Sequence, residues 1–360
     1  MRVLVLGSGV LGAAVAARVA ARGHEAHVLE AGPTPASGTS ATSYAWVNGN
    51  KKRPASYREL NASAIAEHHR LEGVERGWLV PNGHLEFAST DEHREELTAR
   101  VEGLEAAGYP ASFVSVSAAA LLEPDVRVEP DALVAWFPGE AHCYPEVFVA
   151  EMLGTAGVTV ETGASVVAVS AGGVELADGT VRTADRVITC LGRHTGRLHP
   201  DVPMVEPVRG NAAVGVLART VPAPVRLSRV VTTESLNLRP AGGGALLVHA
   251  LDQDPLVSPS DPVPPEVLTT LRDRIHERVG LPVALASAYV GLRSIAADGL
   301  PVVGPVGAGY VVVAHSAVTL APLLGELAAR EVCDGVAQER LAPYRVERFR
   351  LPYAPAAQMH

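Results

Sequence analysis

Three glycines and one carboxylate carry the clearest chemistry in the sequence. Gly7, Gly9 and Gly12 stand in the run GSGVLG, and Glu30 follows at the roughly twenty-residue spacing of a dinucleotide fingerprint. The apolar residues 3–6 predict a buried strand that feeds the glycine turn, and an Ala-rich helix begins at once. Unpaired N–H groups and the positive helix end therefore converge where a pyrophosphate sits. Gly7 permits the turn, Gly9, with Val10 and Leu11 beside it, lets phosphates approach the backbone, and Gly12 lets the helix pack on the strand. Gly23 ends the helix, and a second strand over residues 24–29 delivers Glu30 and Ala31. There a carboxylate accepts both hydroxyls of an adenosine ribose. A lone GxGxxG arises by chance in Gly/Ala-rich chains; here strand, turn, helix, strand and acid all fall at the required spacing. Glu30 repels a 2′-phosphate, which leaves FAD or NAD.

Other reactive residue types do not form constellations. His142 and Cys143 are adjacent on an extended stretch and face opposite ways, with no third ligand suggested nearby. His68 and His69, neighbours on a helix, cannot chelate one metal ion and read as surface. The three cysteines, Cys143, Cys190 and Cys333, lie far apart without a CxxC pair. Neither a disulfide framework nor a metal site follows, and a reducing cytoplasm fits best. A net charge of −9 without a Lys/Arg-rich run excludes the footprint of a nucleic-acid binder. No stretch has the uninterrupted apolar length of a membrane span. The N-terminal apolar run is not read as a signal peptide, because its glycines are in fingerprint register and Arg18 and Arg22 interrupt it.

The elements that must position this chemistry follow from periodicity. Residues 33–43 form a Pro/Gly/Ser/Thr-rich loop whose Ser40, Thr42 and Ser43 can offer hydroxyls to phosphates or to a flavin edge, although a solvated connector explains the composition as well. Helices are expected over residues 56–71, 91–107, 117–122, 146–156, 262–279 and 320–333. Residues 158–161, 165–169, 173–176 and 181–183 read as a β-meander leading to a buried strand that ends at Gly192, a glycine that lets backbone approach a ligand. Residues 205–254 are strand-rich, with runs at 208–210, 212–217, 228–233, 236–239 and 246–249, and suggest an antiparallel sheet able to wall a pocket. A return strand 150 residues after the fingerprint argues for an interrupted cofactor domain. At 360 residues, two domains are expected.

Two later stretches make the combination distinctive: GLRSIAADGLPVVGP, from Gly291 to Pro305, and AHSAVTLAPLLGE, from Ala314 to Glu326. With the fingerprint, the chain resembles the D-amino-acid oxidase / glycine oxidase family of FAD-dependent oxidoreductases, and does so over nearly its whole length. The resemblance implies an α/β fold with a discontinuous, Rossmann-like FAD-binding domain (1–80, 140–203 and 290–360). It also implies an α+β substrate domain built on an antiparallel sheet (81–139 and 204–289). Adenosine would be held by Glu30 and the Val166–Val167 region; the flavin would lie near Ser40 to Asn48, Gly304 and the turn Ser316, Ala317, Val318, Thr319. Two positions depart from the family pattern: Ser294 replaces a proline, and Ala317 a frequent glycine. Sarcosine oxidase-like relatives attach FAD through a cysteine near residues 291–298, and this chain has none there, so non-covalent FAD is expected.

The expected chemistry is hydride transfer from a C–H next to nitrogen to flavin N5, giving an imine that water hydrolyses, with O2 as acceptor. Arg293, at the family's carboxylate position, can grip an amino-acid substrate with two parallel hydrogen bonds; an arginine bonding loop carbonyls is the competing reading. The helix N-terminus near Ala317 to Thr319 would stabilise negative charge on the reduced ring. His315 is a candidate base or a packed histidine. Asn48, Lys51 and His249 are substrate-pocket candidates. The alternatives that stay open are a dehydrogenase passing electrons to a quinone and a dinucleotide-binding protein without turnover.

Overall fold

Val3, Leu4, Val5 and Leu6 alternate faces along one strand, yet all four are fully buried, because both faces of their sheet are covered. In a computed structural model, which describes residues 1–72 and 77–350, this strand, Arg2–Leu6, lies inside a six-stranded sheet. The order is Val302–Val306, Gly309–Val313, Arg186–Thr189, Arg2–Leu6, Glu25–Glu30, Val158–Thr162. All neighbours pair in parallel except the first two. Val3 and Val5 pack under the helices Val10–Ala20, Pro145–Leu153 and Ala317–Asp334. Leu4 and Leu6 pack against a three-stranded antiparallel meander, Val166–Ser170, Gly173–Leu176 and Val181–Thr183. The meander is one strand shorter than its sequence suggested: Val158–Thr162 pairs with Glu25–Glu30 instead.

A second sheet has eight strands in the order Leu285–Leu292, Val214–Thr220, Leu246–His249, Asn237–Pro240, Val230–Thr232, His84–Ala88, Leu133–Phe137, Ser112–Val114. It is antiparallel except where Val230–Thr232 runs parallel to His84–Ala88. Val267, Leu271, Ile275 and Val279, spaced by four, form the buried stripe of the helix Pro265–Val279 on one face. Residues 208–210, expected as a strand, are a loop and turn that lead into Val214–Thr220. A small third sheet, with Ala141–Cys143 between Trp46–Val47 and Leu79–Val80, joins the two larger units.

The helix Ala317–Asp334 starts three residues before its expected beginning and carries Pro322 inside it. Proline has no N–H, so the carbonyl of Val318, four residues earlier, loses its usual partner. His68 replaces it: Nε2 lies 2.9 Å from that carbonyl. His68 is fully buried and only His69 is exposed, which corrects the expectation that both are surface residues. The register explains the difference. His68 continues the buried stripe Tyr57, Asn61, Ala64 and Ile65 of the helix Ala55–Glu72. Among the described residues, no helix is long and apolar enough to cross a membrane.

Burial lowers the His68 pKa from 6.5 to about 4. The unfolded chain therefore binds the proton first, and the stability contributed by neutral His68 is present above pH 6.5 and lost as pH falls toward 4. His68→Leu leaves Val318 without a donor and should cost about 1–3 kcal/mol at pH 7. In urea unfolding, the gap between wild type and variant should narrow between pH 6.5 and 4. A gap that stays constant over that range would contradict the buried neutral imidazole.

Candidate active site

The glycine turn is built as its sequence requires. Gly7 has φ +94°, and a Cβ on Gly12 would lie 1.8 Å from the Gly7 carbonyl oxygen, so neither position accepts another residue without rearrangement. The helix Val10–Ala20 has no side-chain cap and no acid in its first turn. Its first intrahelical bond runs from the Ala13 N–H to the Gly9 carbonyl at 2.9 Å, which places the N–H groups of Val10, Leu11 and Gly12 ahead of the ladder. Val10 donates to Ser40 Oγ at 3.2 Å. Glu30, at the tip of the second strand, accepts from Ser8 N–H at 2.9 Å, Ser8 Oγ at 2.6 Å and Gly32 N–H at 2.8 Å. These groups line a cleft of about 350 Å³ that continues along Ala31, Ser40, Ser43, Cys190 and Gly192 to Ala314, His315, Ala317 and Val318.

A second cavity, of about 470 Å³, shares Thr39, Ser43, Ser294, His315 and Val318 with the first. Its other walls are the loop from Thr42 to Lys52, the strand end Gly291 to Arg293, and His249. The loop is held from behind by Glu140, a fully buried carboxylate. Glu140 accepts from Trp46 Nε1 at 3.0 Å, Gly49 N–H at 3.2 Å, Asn50 N–H at 3.1 Å and Tyr109 Oη at 2.7 Å. Burial pushes its pKa up, but bonds from His84, Tyr109 and Asn50 bring it below the ordinary value. Ala45, just before this segment, holds φ +54°, a conformation a non-glycine residue keeps only when its surroundings enforce it. Asn48 N–H reaches Thr319 Oγ1 at 3.4 Å, which ties the loop to the helix N-terminus.

Cations dominate the second cavity. Lys51, Lys52 and Arg293 line it, and none of its lining residues is Asp or Glu. Arg293 is already partnered. Nη1 donates to the carbonyls of Ala212 at 2.9 Å and Val214 at 3.1 Å, and Nη2 to Asp254 Oδ2 at 2.5 Å. Gly215 makes the room, since a Cβ there would lie 2.2 Å from Nη2. His249 Nε2 lies 3.3 Å from the same Asp254 oxygen. Lys51 pairs with Glu86 at 2.9 Å. His315 is exposed where it lines the second cavity. Desolvation by the surrounding protein, with the charges of Lys52 and Arg293, lowers its pKa, so the ring is neutral at pH 7.

The FAD-dependent oxidoreductase (DAO) family model matches residues 2–331. The chain belongs to this family. The glycine oxidase of Geobacillus kaustophilus is 25% identical over 96% of each chain. Its crystal structure superposes with a TM-score of 0.83 at 22% identity, covering 96% of this chain and 99% of that one. L-proline dehydrogenase from P. horikoshii follows at a TM-score of 0.82 and 15% identity, covering 97% of both chains. Iminodiacetate oxidase from Chelativorans sp. BNC1 gives 0.80 and 19%, covering 96% of this chain and 98% of its own.

As a member of the FAD-dependent oxidoreductases, the chain uses FAD, and the cleft fits that group. Its lining brings together the N-terminus of the helix Val10–Ala20 and the carboxylate of Glu30, the two parts that the fingerprint supplies. The helix Ala317–Asp334 adds a second set: its first intrahelical bond runs from Leu320 to Ser316, so the N–H groups of Ala317, Val318 and Thr319 precede it. Ser316 and Thr319 face the second cavity. Other expected residues lie elsewhere. Gly304 faces Arg345, and Val166 and Val167 sit on the meander, outside the lining of either cavity. Thr42 packs its carbonyl where a Cβ on Gly291 would come within 2.9 Å. His142 and Cys143 are buried in the small sheet, Cys143 with its thiol pKa raised by burial. Among the described residues, no cluster of three or more His, Cys, Asp or Glu could hold a metal ion.

Sequence reasoning missed Lys52, Asp254 and Glu140. Lys52 stands beside Lys51 in the same cavity wall, and the sequence does not say which lysine finds Glu86. Two outcomes follow from this geometry. Glu30→Ala should weaken FAD binding by about 1–3 kcal/mol, measured by flavin fluorescence titration of apoprotein; unchanged affinity would place the ribose contact elsewhere. Burial lowers the Lys52 pKa from 10.5 to about 8, so below pH 8 the fold carries a poorly solvated ammonium at a stability cost that vanishes above pH 10.5. Lys52→Met should therefore raise the Tm of the FAD-loaded enzyme at pH 7 and lose that advantage between pH 8 and 10.5.

Proposed function

We propose that this protein oxidises the C–N bond of an amino acid or an N-substituted amino acid to an imine, using non-covalently held FAD. The observation that carries this reading is the second cavity: it shares five lining residues with the cofactor cleft, Thr39, Ser43, Ser294, His315 and Val318, and its charged lining is wholly cationic in a chain of net charge −9. Such a lining suits a carboxylate and repels a simple cationic amine. FAD, when bound, supplies a two-electron oxidant that takes the hydride from the carbon next to nitrogen. The protein's part is placement. The Glu140-held loop, the strand end at Arg293 and the turn at His315 form walls that keep the reacting carbon from drifting, and positioning of this kind supplies several kcal/mol of a barrier. The N–H groups of Ala317 to Thr319 offer partial positive charge where negative charge develops.

Non-covalent attachment is supported by the cysteines. Cys190 is the one that lines the cofactor cleft, and burial raises its thiol pKa, so the nucleophilic thiolate is suppressed. O2 is the proposed electron acceptor, giving H2O2; a quinone-reducing dehydrogenase is the second reading. The cofactor role belongs to residues 1–80, 140–203 and 290–360 and the substrate role to 81–139 and 204–289, with residues 73–76 and 351–360 outside the described part. The strand Leu285–Leu292 crosses the boundary and carries Arg293 at its end. Three free cysteines suit a cytoplasmic setting.

The test is anaerobic addition of glycine, N-methyl amino acids, D- and L-amino acids and 2-hydroxy acids to the yellow holoenzyme. Flavin absorbance should bleach with an amino acid and, in air, yield peroxide in proportion to the imine product. Acid precipitation should leave all flavin in the supernatant. Bleaching only by carboxylate-free amines would defeat the amino-acid reading; bleaching without peroxide would favour the quinone acceptor.

A further inference from the structure

Resting on that reading, we propose that Lys52 is the anchor for the substrate's carboxylate and Asn48 Oδ1 the acceptor for its amino group, with Arg293 serving as a structural member of the wall. The assignment comes from asking which cavity cation has a vacant hydrogen-bonding capacity. Lys51 is paired with Glu86. Arg293 is committed to two backbone carbonyls and to Asp254, which is itself buried and accepts the Val216 N–H at 2.9 Å. Pulling the guanidinium toward a second carboxylate would leave Asp254 buried and undercompensated, a costly arrangement. Lys52 alone of the three has no ion pair among the described residues.

Its surroundings favour an arriving anion over a rearranged one. Glu140 acts on Lys52 electrostatically, but both Glu140 oxygens already accept from the loop, Tyr109 and His84. The lysine is also held in place: its N–H donates to the Gly49 carbonyl at 3.3 Å, within the segment that Glu140 fixes. The burial that lowers its pKa is the same lack of solvent that an incoming carboxylate would relieve. Asn48 supplies the second half. Asn48 lines the same cavity, and its Oδ1 is buried with no donor, a deficit that an ammonium or secondary amine N–H would fill. An unpaired cation and an unpaired acceptor on one loop complement the two charged ends of an amino acid.

The experiment titrates FAD-loaded enzyme with acetate, which cannot be oxidised, following the flavin difference spectrum, with acetamide as the uncharged control. Lys52→Met should raise the acetate Kd at least about tenfold and leave acetamide binding unchanged. Lys52→Arg should stay within about threefold of wild type, and Arg293→Lys should affect acetate much less than Lys52→Met does. Flavin content and Tm verify that each variant is folded. Equal acetate binding in wild type and Lys52→Met, with amino acids still reducing both, overturns the Lys52 assignment alone. Loss of acetate binding in Arg293→Lys with none in Lys52→Met gives the anchor to Arg293. Failure of wild type to bind acetate or to be reduced by any amino acid removes the functional reading, and this inference with it.

Discussion

The carboxylate of Glu140 is the constraint on which the site depends. It stands at the start of the strand that centres the small sheet, fully buried, and gathers donors from Trp46, Gly49, Asn50, Tyr109 and His84. A buried charge is tolerated only when its lone pairs are met. Here the loop that lines the cavity meets them. The dependence is mutual: the loop backbone finds acceptors it would otherwise lack, and the carboxylate finds the bonds that keep it ionised. His84 extends the network, with Nε2 2.8 Å from Thr232 Oγ1 across the parallel strand pair of the large sheet. A neutral imidazole donating from Nδ1 to Glu140 and accepting from Thr232 satisfies both contacts. One ring thus joins the loop to the sheet that forms the opposite wall.

The second support is the contact between His68 and the carbonyl freed by Pro322. A proline near the start of a helix removes one rung, and a buried histidine from another helix supplies it. The helix end beside both cavities is therefore fixed from outside its own hydrogen-bond ladder. Thr319 does the same at its own scale, donating to the Trp46 carbonyl at 3.3 Å while accepting from Asn48. Loop, helix end and sheet form one unit because each fills a bond that another leaves open.

Much of this was legible in the sequence where the signal is local. The fingerprint, Glu30, the long helices and most strands follow from glycine placement and hydrophobic period, properties of neighbouring residues. The helix expected from residue 320 begins instead at Ala317, and a tertiary contact from His68 compensates for the rung that Pro322 removes. What periodicity could not provide was pairing. Whether Lys51 or Lys52 meets Glu86, whether Arg293 is free or held by Asp254, and whether His68 faces in or out depend on residues 35 to 250 positions away. His68 was the exception within reach, since it falls on the buried stripe of its helix.

The contrast between a cationic cavity and an acidic molecule has a kinetic side. An anion far from the protein meets a net charge of −9 and is repelled; once inside the mouth it meets Lys51 and Lys52. The repulsion acts over many ångströms and is screened by salt beyond about 10 Å at 0.1 M, whereas a contact inside a water-poor cavity is screened much less. Ionic strength therefore acts on the two stages unequally. Added salt eases the approach while leaving capture nearly intact, so the encounter rate of a net-anionic ligand such as acetate rises with salt concentration, opposite to the behaviour of a protein whose whole surface attracts its ligand.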